Sequence, residues 1–293
     1  MKFTDLTEKL KEGNKPVIAV VAPTGENIYS ALSEVEKEGL CSFLLVGDEK
    51  NISREMKEYN LKEFFILHSE NPADDAVDAI LKNKAHVLMK GKLDTSVFLK
   101  AVLKRKEELL TSSLLSHILI AETKEGKLLG VTDGGMNIAP DLQQKAAIIQ
   151  NAIDIFNNMG IKNPKVAVLA AMERVNPAIP ASLDAALLSK MAERGQITGG
   201  IVDGPLAIDQ ALSKRACEIK GVTGPIQGDA DILVVPDMNT GNIFGKSLIY
   251  CSNFASGGLI AGASFPIIML SRADEAREKK NSIILALSSA AGV

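Results

Sequence analysis

The sequence predicts an α/β protein of two domains, and three observations carry that expectation. Short β-branched runs alternate with longer amphipathic stretches along most of the chain, the rhythm that parallel β-α-β units require. Some of the runs, Val17–Val21 and Ile232–Val235 among them, are solidly apolar rather than alternating. Strands covered by helices on both faces read that way. At 293 residues the chain is also long for one hydrophobic core.

In order, Val17–Val21 reads as a strand and Glu26–Glu38 as a helix. Strands at Ser42–Val46, Glu63–Leu67 and His86–Met89 alternate with helices at Glu49–Tyr59 and Pro72–Lys82. The rhythm then breaks. Ser116–Ala121 and Lys127–Val131 flank Thr123-Lys124-Glu125-Gly126, a hairpin signal. After Pro140 a helix runs to about Asn158, with Asp141 at its start, where a carboxylate favours the helix dipole. Alternation resumes with strands at Val166–Ala170, Ile197–Val202 and Ile232–Val235 and helices at Ser182–Arg194 and Asn239–Cys251. A strand at Pro266–Leu270 and a helix from Arg272 to about Ser289 close the series. The expected domains are 1–139 with 259–293, and 140–258.

Composition excludes several functions. A net charge of −3 and a pI near 5.8 leave no basic field for nucleic acid, and with no Trp and 4% aromatics there is no base-stacking platform. The longest apolar stretch, Gly257–Leu270, is too short to span a bilayer. Residues 1–13 are charged throughout, without the apolar region of a secretory signal. Cys41, Cys217 and Cys251 form no CxxC pair. A cytoplasmic protein without disulfide or zinc framework is the expectation. His68, His86 and His117 lie at strand ends with no metal-ligand spacing, and Gly241–Ser247 imitates a phosphate-binding P-loop but is one residue short between its glycines.

The chemistry-bearing stretch is Pro266–Leu270 followed by Ser271-Arg272-Ala273-Asp274. An apolar strand delivers a serine and an arginine at its carboxyl end, where parallel sheets place ligands. Ser271 and Asp274 fit an N-cap and an acid three residues on, and a helix N-terminus beside a guanidinium can hold a phosphate-sized anion. The same four residues also read as a plain helix cap beside a surface arginine. Glu278, two turns past Ser271, is a candidate carboxylate base or an exposed member of the run Arg277–Lys280. Lys90-Gly91 at a strand end, with Lys100 on the next helix, forms a second cluster or a solvated lysine pair. Asp203-Gly204-Pro205 ends a strand in an acid and a tight turn, which an ordinary β-to-α turn also does.

Four blocks together resemble the phosphate acetyl/butyryltransferase family, its butyryl branch most closely. They are His86–Lys100, Val131–Asp141, Leu183–Leu212, and Thr240-Gly241-Asn242 with Ser271–Asp274. The resemblance implies a two-domain, three-layer α/β/α fold like that of isocitrate and isopropylmalate dehydrogenases, with the active site in the interdomain cleft. It implies reversible conversion of acyl-CoA and phosphate to acyl phosphate and coenzyme A by direct thiol attack in a ternary complex. Coenzyme A enters as substrate, no metal or organic cofactor takes part, and the protein forms a homo-oligomer. Ser271 would hydrogen-bond the reacting carbonyl or phosphate, with Glu278 or Asp274 as base. Arg272 would hold the phosphate, and Lys90, Gly91, Lys100, Asp203 and Asn242 would line the substrate site. The chain departs from the family pattern at Lys100 and Leu110, where arginines are usual. A phosphate acetyltransferase, or an acyl-CoA-binding relative with altered catalysis, stays open as the alternative.

Overall fold

The computed structural model describes residues 1–269 and 274–290. The sequence-expected Ser271 and Arg272 lie outside the described residues. The chain divides into two compact units, Met1–Thr111 with Ala255–Val293, and Ser112–Phe254.

The first unit opens with α1 (Phe3–Lys11), β1 (Val17–Val21), α2 (Glu26–Lys37), β2 (Ser42–Gly47) and α3 (Glu49–Tyr59). It continues with β3 (Phe64–His68), α4 (Pro72–Leu81), β4 (Val87–Lys90), α5 (Thr95–Leu103) and α6 (Lys106–Leu109). Local chemistry sets the helix starts. The Asp48 carboxylate accepts the Lys50 amide at 2.9 Å, and Pro72 opens α4, where its missing N–H costs no hydrogen bond. His86 Nδ1 accepts the Val17 amide at 3.0 Å, so this histidine splints the start of β1.

The second unit holds β5 (Ser116–Glu122), β6 (Leu128–Thr132), α7 (Leu142–Asn158), β7 (Lys165–Leu169) and α8 (Pro180–Glu193). It ends with β8 (Ile201–Leu206), α9 (Ile208–Leu212), α10 (Lys214–Lys220), β9 (Ile232–Val234) and α11 (Met238–Tyr250). Its strands run β5-β6-β9-β7-β8, parallel except for the β5–β6 hairpin. Asp141 and Gln144 cap α7 reciprocally at 2.8 and 2.9 Å. Leu129, Val131, Ala167, Leu169, Leu233, Val235 and Leu248 form part of this unit's core. Gly241–Ser247 lies inside α11, so the P-loop imitation forms no loop.

The chain then returns to the first unit as β10 (Ser256–Ala261), β11 (Ile267–Ile268) and α12 (Ala276–Ser289). The strand order there is β3-β2-β1-β4-β11-β10, with β10 alone antiparallel to its neighbour. Ile18 to Val21 are wholly buried, as are Leu285 and Ala286 of α12.

Four expectations are corrected. The hairpin falls in the second unit, moving the boundary from Pro140 to residue 112, because β6 pairs with β9 and Asn151 of α7 bonds Ser116 at 3.0 Å. The strand placed at Ile197–Val202 is Ile201–Leu206, in register with β7 from Lys165↔Ile201, so Asp203 sits within it. The last helix begins at Ala276, not Arg272, since the Glu275 amide bonds Glu278 Oε2 at 3.0 Å and Glu275, rather than Ser271, is the cap. Strand β10 was not anticipated within the Gly257–Leu270 run.

The approach of β10 to α12 needs a residue without a side chain, because a Cβ on Gly257 would stand 2.7 Å from the Ser282 amide nitrogen. Gly257→Ala is expected to destabilise the fold by about 1–3 kcal/mol through overpacking, measured by urea denaturation. A loss below about 0.5 kcal/mol would contradict that packing.

Candidate active site

The site grows from a topological constraint. From β1 the chain moves to β2 and β3 on one side of the sheet and to β4 on the other. The connections after β1 and β4 therefore diverge, and a crevice opens beyond the carboxyl ends of these two strands, where doubly wound sheets take their ligands. A cavity of about 410 Å³ lies there, lined by residues 24–28, residues 90–93 and Lys279.

Each wall has a local cause. Gly25 adopts φ +93° and turns the chain into α2, whose first residues line the cavity; the helix dipole favours an anion at such a terminus, where the Glu55 carboxylate already accepts the Gly25 amide at 2.8 Å. Gly91 follows β4 with its amide on the Val21 carbonyl at 2.8 Å. A Cβ there would lie 2.4 Å from the carbonyl oxygens of Val21 and Ala22, so only glycine lets the two turns close together. Lys90, 8% exposed, directs its ammonium to the carbonyls of Gly91 and Leu93 at 3.2 and 3.0 Å. Lys279, in the first turn of α12, is 4% exposed and donates to the Asp274 carbonyl. Burial pushes its pKa down, against the opposing pull of the Asp274 and Glu278 carboxylates.

Ile268, before the Ser271–Arg272 segment, and Asp274, after it, both neighbour elements that contribute to the cavity wall. Ile268 of β11 is in register with Met89, next to Lys90. On the far side the Asp274 carbonyl receives Lys279 and the Asn27 amide, the latter at 3.5 Å.

Other expected site residues fall elsewhere. Lys100 is exposed on α5 and is not part of the cavity wall. Glu278 serves as the capping acid of α12. Leu110 is tied to the neighbouring strand connection by a bridge to Ala263.

In the second unit, Asn242 donates to the Gly134 carbonyl at 3.2 Å and so props the turn after β6. That turn is organised by Asp133, only 3% exposed. Its carboxylate accepts the amides of Gly135, Met136, Asn137 and His117 at 2.8–3.3 Å and the Asn137 side chain at 2.7 Å. Asp203 borders a separate cavity of about 310 Å³ with Glu173, Arg174 and Lys220. Burial raises its carboxyl pKa, more strongly than the Gly204 N–H lowers it.

Sequence reasoning missed Gly25, Asn27, Lys279 and Asp133 as site or support residues. Thr24-Gly25-Glu26 directly after the first solid strand was the available signal for the first of these. Lys279 was hidden in a charge run whose burial only the fold reveals. Among the described residues, no cluster of His, Cys, Asp or Glu could hold a metal ion, and no helix is long and apolar enough to cross a membrane.

Asp133→Asn turns a carboxylate oxygen into a donor facing other donors, and is expected to cost about 2–3 kcal/mol of stability. Chemical denaturation measures this, and a midpoint equal to that of the parent protein would remove Asp133 as the organiser of its turn.

Comparison with known proteins bears on this geometry. A family model described as phosphate acetyl/butaryl transferase matches residues 67–287. The chain is 40% identical to phosphate butyryltransferase of Clostridium acetobutylicum, over 97% of this chain and 96% of that one. It is 42% identical to the probable phosphate butyryltransferase of Bacillus subtilis, over 98% and 97%. A crystal structure of a branched-chain phosphotransacylase from Enterococcus faecalis V583 shares the fold with a TM-score of 0.84 at 32% identity, covering 94% of this chain and 99% of that one.

Proposed function

Because the chain belongs to the phosphate acetyl/butaryl transferase family, we propose that this phosphate acyltransferase interconverts butyryl-CoA plus phosphate with butyryl phosphate plus coenzyme A. The single observation that carries the site assignment is the pair of buried lysines, Lys90 and Lys279, in the wall of the cavity between the ends of β1 and β4, with Asp274 bonded to one of them. Butyryl is preferred over acetyl on the names borne by the two relatives above. The proposed fold relationship is to isocitrate and isopropylmalate dehydrogenases. The family resemblance further supports a cytoplasmic homo-oligomer that uses coenzyme A as substrate and needs no metal or organic cofactor.

In the forward direction a phosphate oxygen attacks the thioester carbonyl, the C–S bond breaks, and coenzyme A leaves with its sulfur taking up a proton. In reverse the sulfur loses that proton and attacks the acyl phosphate carbonyl, and phosphate departs. No covalent enzyme intermediate is required when both substrates are bound together, since orientation replaces it. Arg272 holds the phosphate, assisted by the α2 N-terminus and by the positive field around Lys90 and Gly91. Ser271 donates to the oxygen on which charge develops, a contribution of the oxyanion-hole kind. A free thiol is mostly protonated at neutral pH, so a carboxylate base raises the reactive fraction. Glu278 is occupied by the Glu275 amide, and we assign that proton to Asp274, which stands before the helix. Lys100, Asp203 and Asn242 remain proposed contacts to the larger substrate.

Butyryl-CoA with excess phosphate is expected to release free thiol, followed colorimetrically, and omission of phosphate abolishes the release. Asp274→Asn is expected to lower kcat about 10²-fold or more. Glu278→Gln should keep kcat within about threefold and keep the cap hydrogen bond, while losing about 0.3–1 kcal/mol of charge–dipole stabilisation at the α12 N-terminus. Background release across acetyl-, butyryl- and branched acyl-CoAs would overturn the assignment, and the opposite ranking of the two variants would transfer the base to Glu278.

A further inference from the structure

Lys279 occupies a position that helix physics disfavours. It lies in the first turn of α12, at the positive end of the dipole, where carboxylates rather than cations are stabilised. It is almost fully buried, and it shares its cavity with two more lysines, Lys90 and Lys92. Desolvation, dipole and like charges all act against an ammonium here. The carboxylates of Asp274 and Glu278 offset part of this. Its contact to the Asp274 carbonyl needs only a neutral donor. An ammonium carries three N–H groups, and that carbonyl is the one hydrogen-bond partner recorded for it among the described residues. A full charge with donor capacity to spare, facing a cavity at a helix N-terminus, fits an anion that arrives with the substrate.

We infer that Lys279 is a phosphate-binding and positioning residue: one N–H fixes the Asp274 backbone, while the others donate to the phosphoryl oxygens. This rests on the phosphate-acyltransferase reading of the same cavity. Phosphate adds to the compensation that the Asp274 and Glu278 carboxylates give only in part. The lysine therefore weakens the free protein and strengthens the phosphate complex. A residue that merely stabilised the fold would do the reverse.

The test compares Lys279→Met, Lys279→Gln and Lys279→Arg in the full chain by thermal unfolding, with and without inorganic phosphate, and by steady-state kinetics. Expected for Lys279→Met are a melting temperature no lower than the parent's, a phosphate-induced upward shift reduced to background, and a phosphate KM raised at least tenfold. The KM for butyryl-CoA should stay within about threefold. Lys279→Arg, which restores charge, should recover part of the phosphate response, and Lys279→Gln, which restores only a neutral donor, should not. A phosphate KM and thermal shift unchanged in a folded Lys279→Met protein overturns the inference. So does full recovery by Lys279→Gln, which would leave a structural hydrogen bond alone. If Lys279→Met does not fold, the Gln and Arg variants decide on the same criteria. The phosphate-induced shift is independent of turnover. A parent protein that shifts with phosphate through Lys279 but releases no thiol would refute the reaction and keep the binding role.

Discussion

Positive charge held out of water beyond the ends of β1 and β4 is the constraint to which the rest of the first unit answers. Two nearly buried lysines cannot share one crevice without compensation, and the surrounding backbone supplies part of it. Lys90 is satisfied by two carbonyls that face it only because Gly91 lets its turn fold against β1. Lys279 gives one of its three N–H groups to the Asp274 carbonyl, just ahead of the start of α12 at Ala276. Sheet topology makes the crevice, and glycine closes its walls.

The second unit contributes rigidity of a different kind. Asp133 gathers five donors with one buried carboxylate, and Gly134 and Gly241 approach so closely that a Cβ on either would stand 2.6 Å from the other's backbone. The turn after β6 is thereby locked to the start of α11. Asn242 acts within this lock. Asp203 differs in that its carboxyl is lifted by burial beside a second cavity.

Much of the architecture was legible in the sequence because solid apolar runs and amphipathic stretches have distinct periods. Strands β1, β2, β4 and β9 and the start of α7 were readable for that reason, and Asp141 announced its cap through ordinary helix-end chemistry. Lys90 and Gly91 stand out in the sequence because a lysine and a glycine at the end of a solid strand form a local pattern, and the fold places both in the cavity wall. What escaped depended on tertiary context. Lys279 and Glu278 are adjacent members of one charge run, yet one is buried in a cavity and the other caps a helix, a difference set by what α12 packs against. Ser271 with Asp274 satisfied the capping pattern as well as Glu275 with Glu278 does, and sequence could not choose between two adjacent registers. The hairpin over 116–132 reads identically whichever unit it joins, because its allegiance is set by the distant partner β9. Lys100 stands exposed on α5, and among the described residues the buried cations of the cavity wall are Lys90 and Lys279.

The most direct test of this view is a crystal structure of the protein with phosphate and coenzyme A. Expected is a phosphate in the crevice beyond β1 and β4, at the α2 N-terminus and on the Lys279 ammonium, in contact with Ser271 and Arg272. A phosphate bound at another place, with the serine and arginine directed to bulk water, would contradict it.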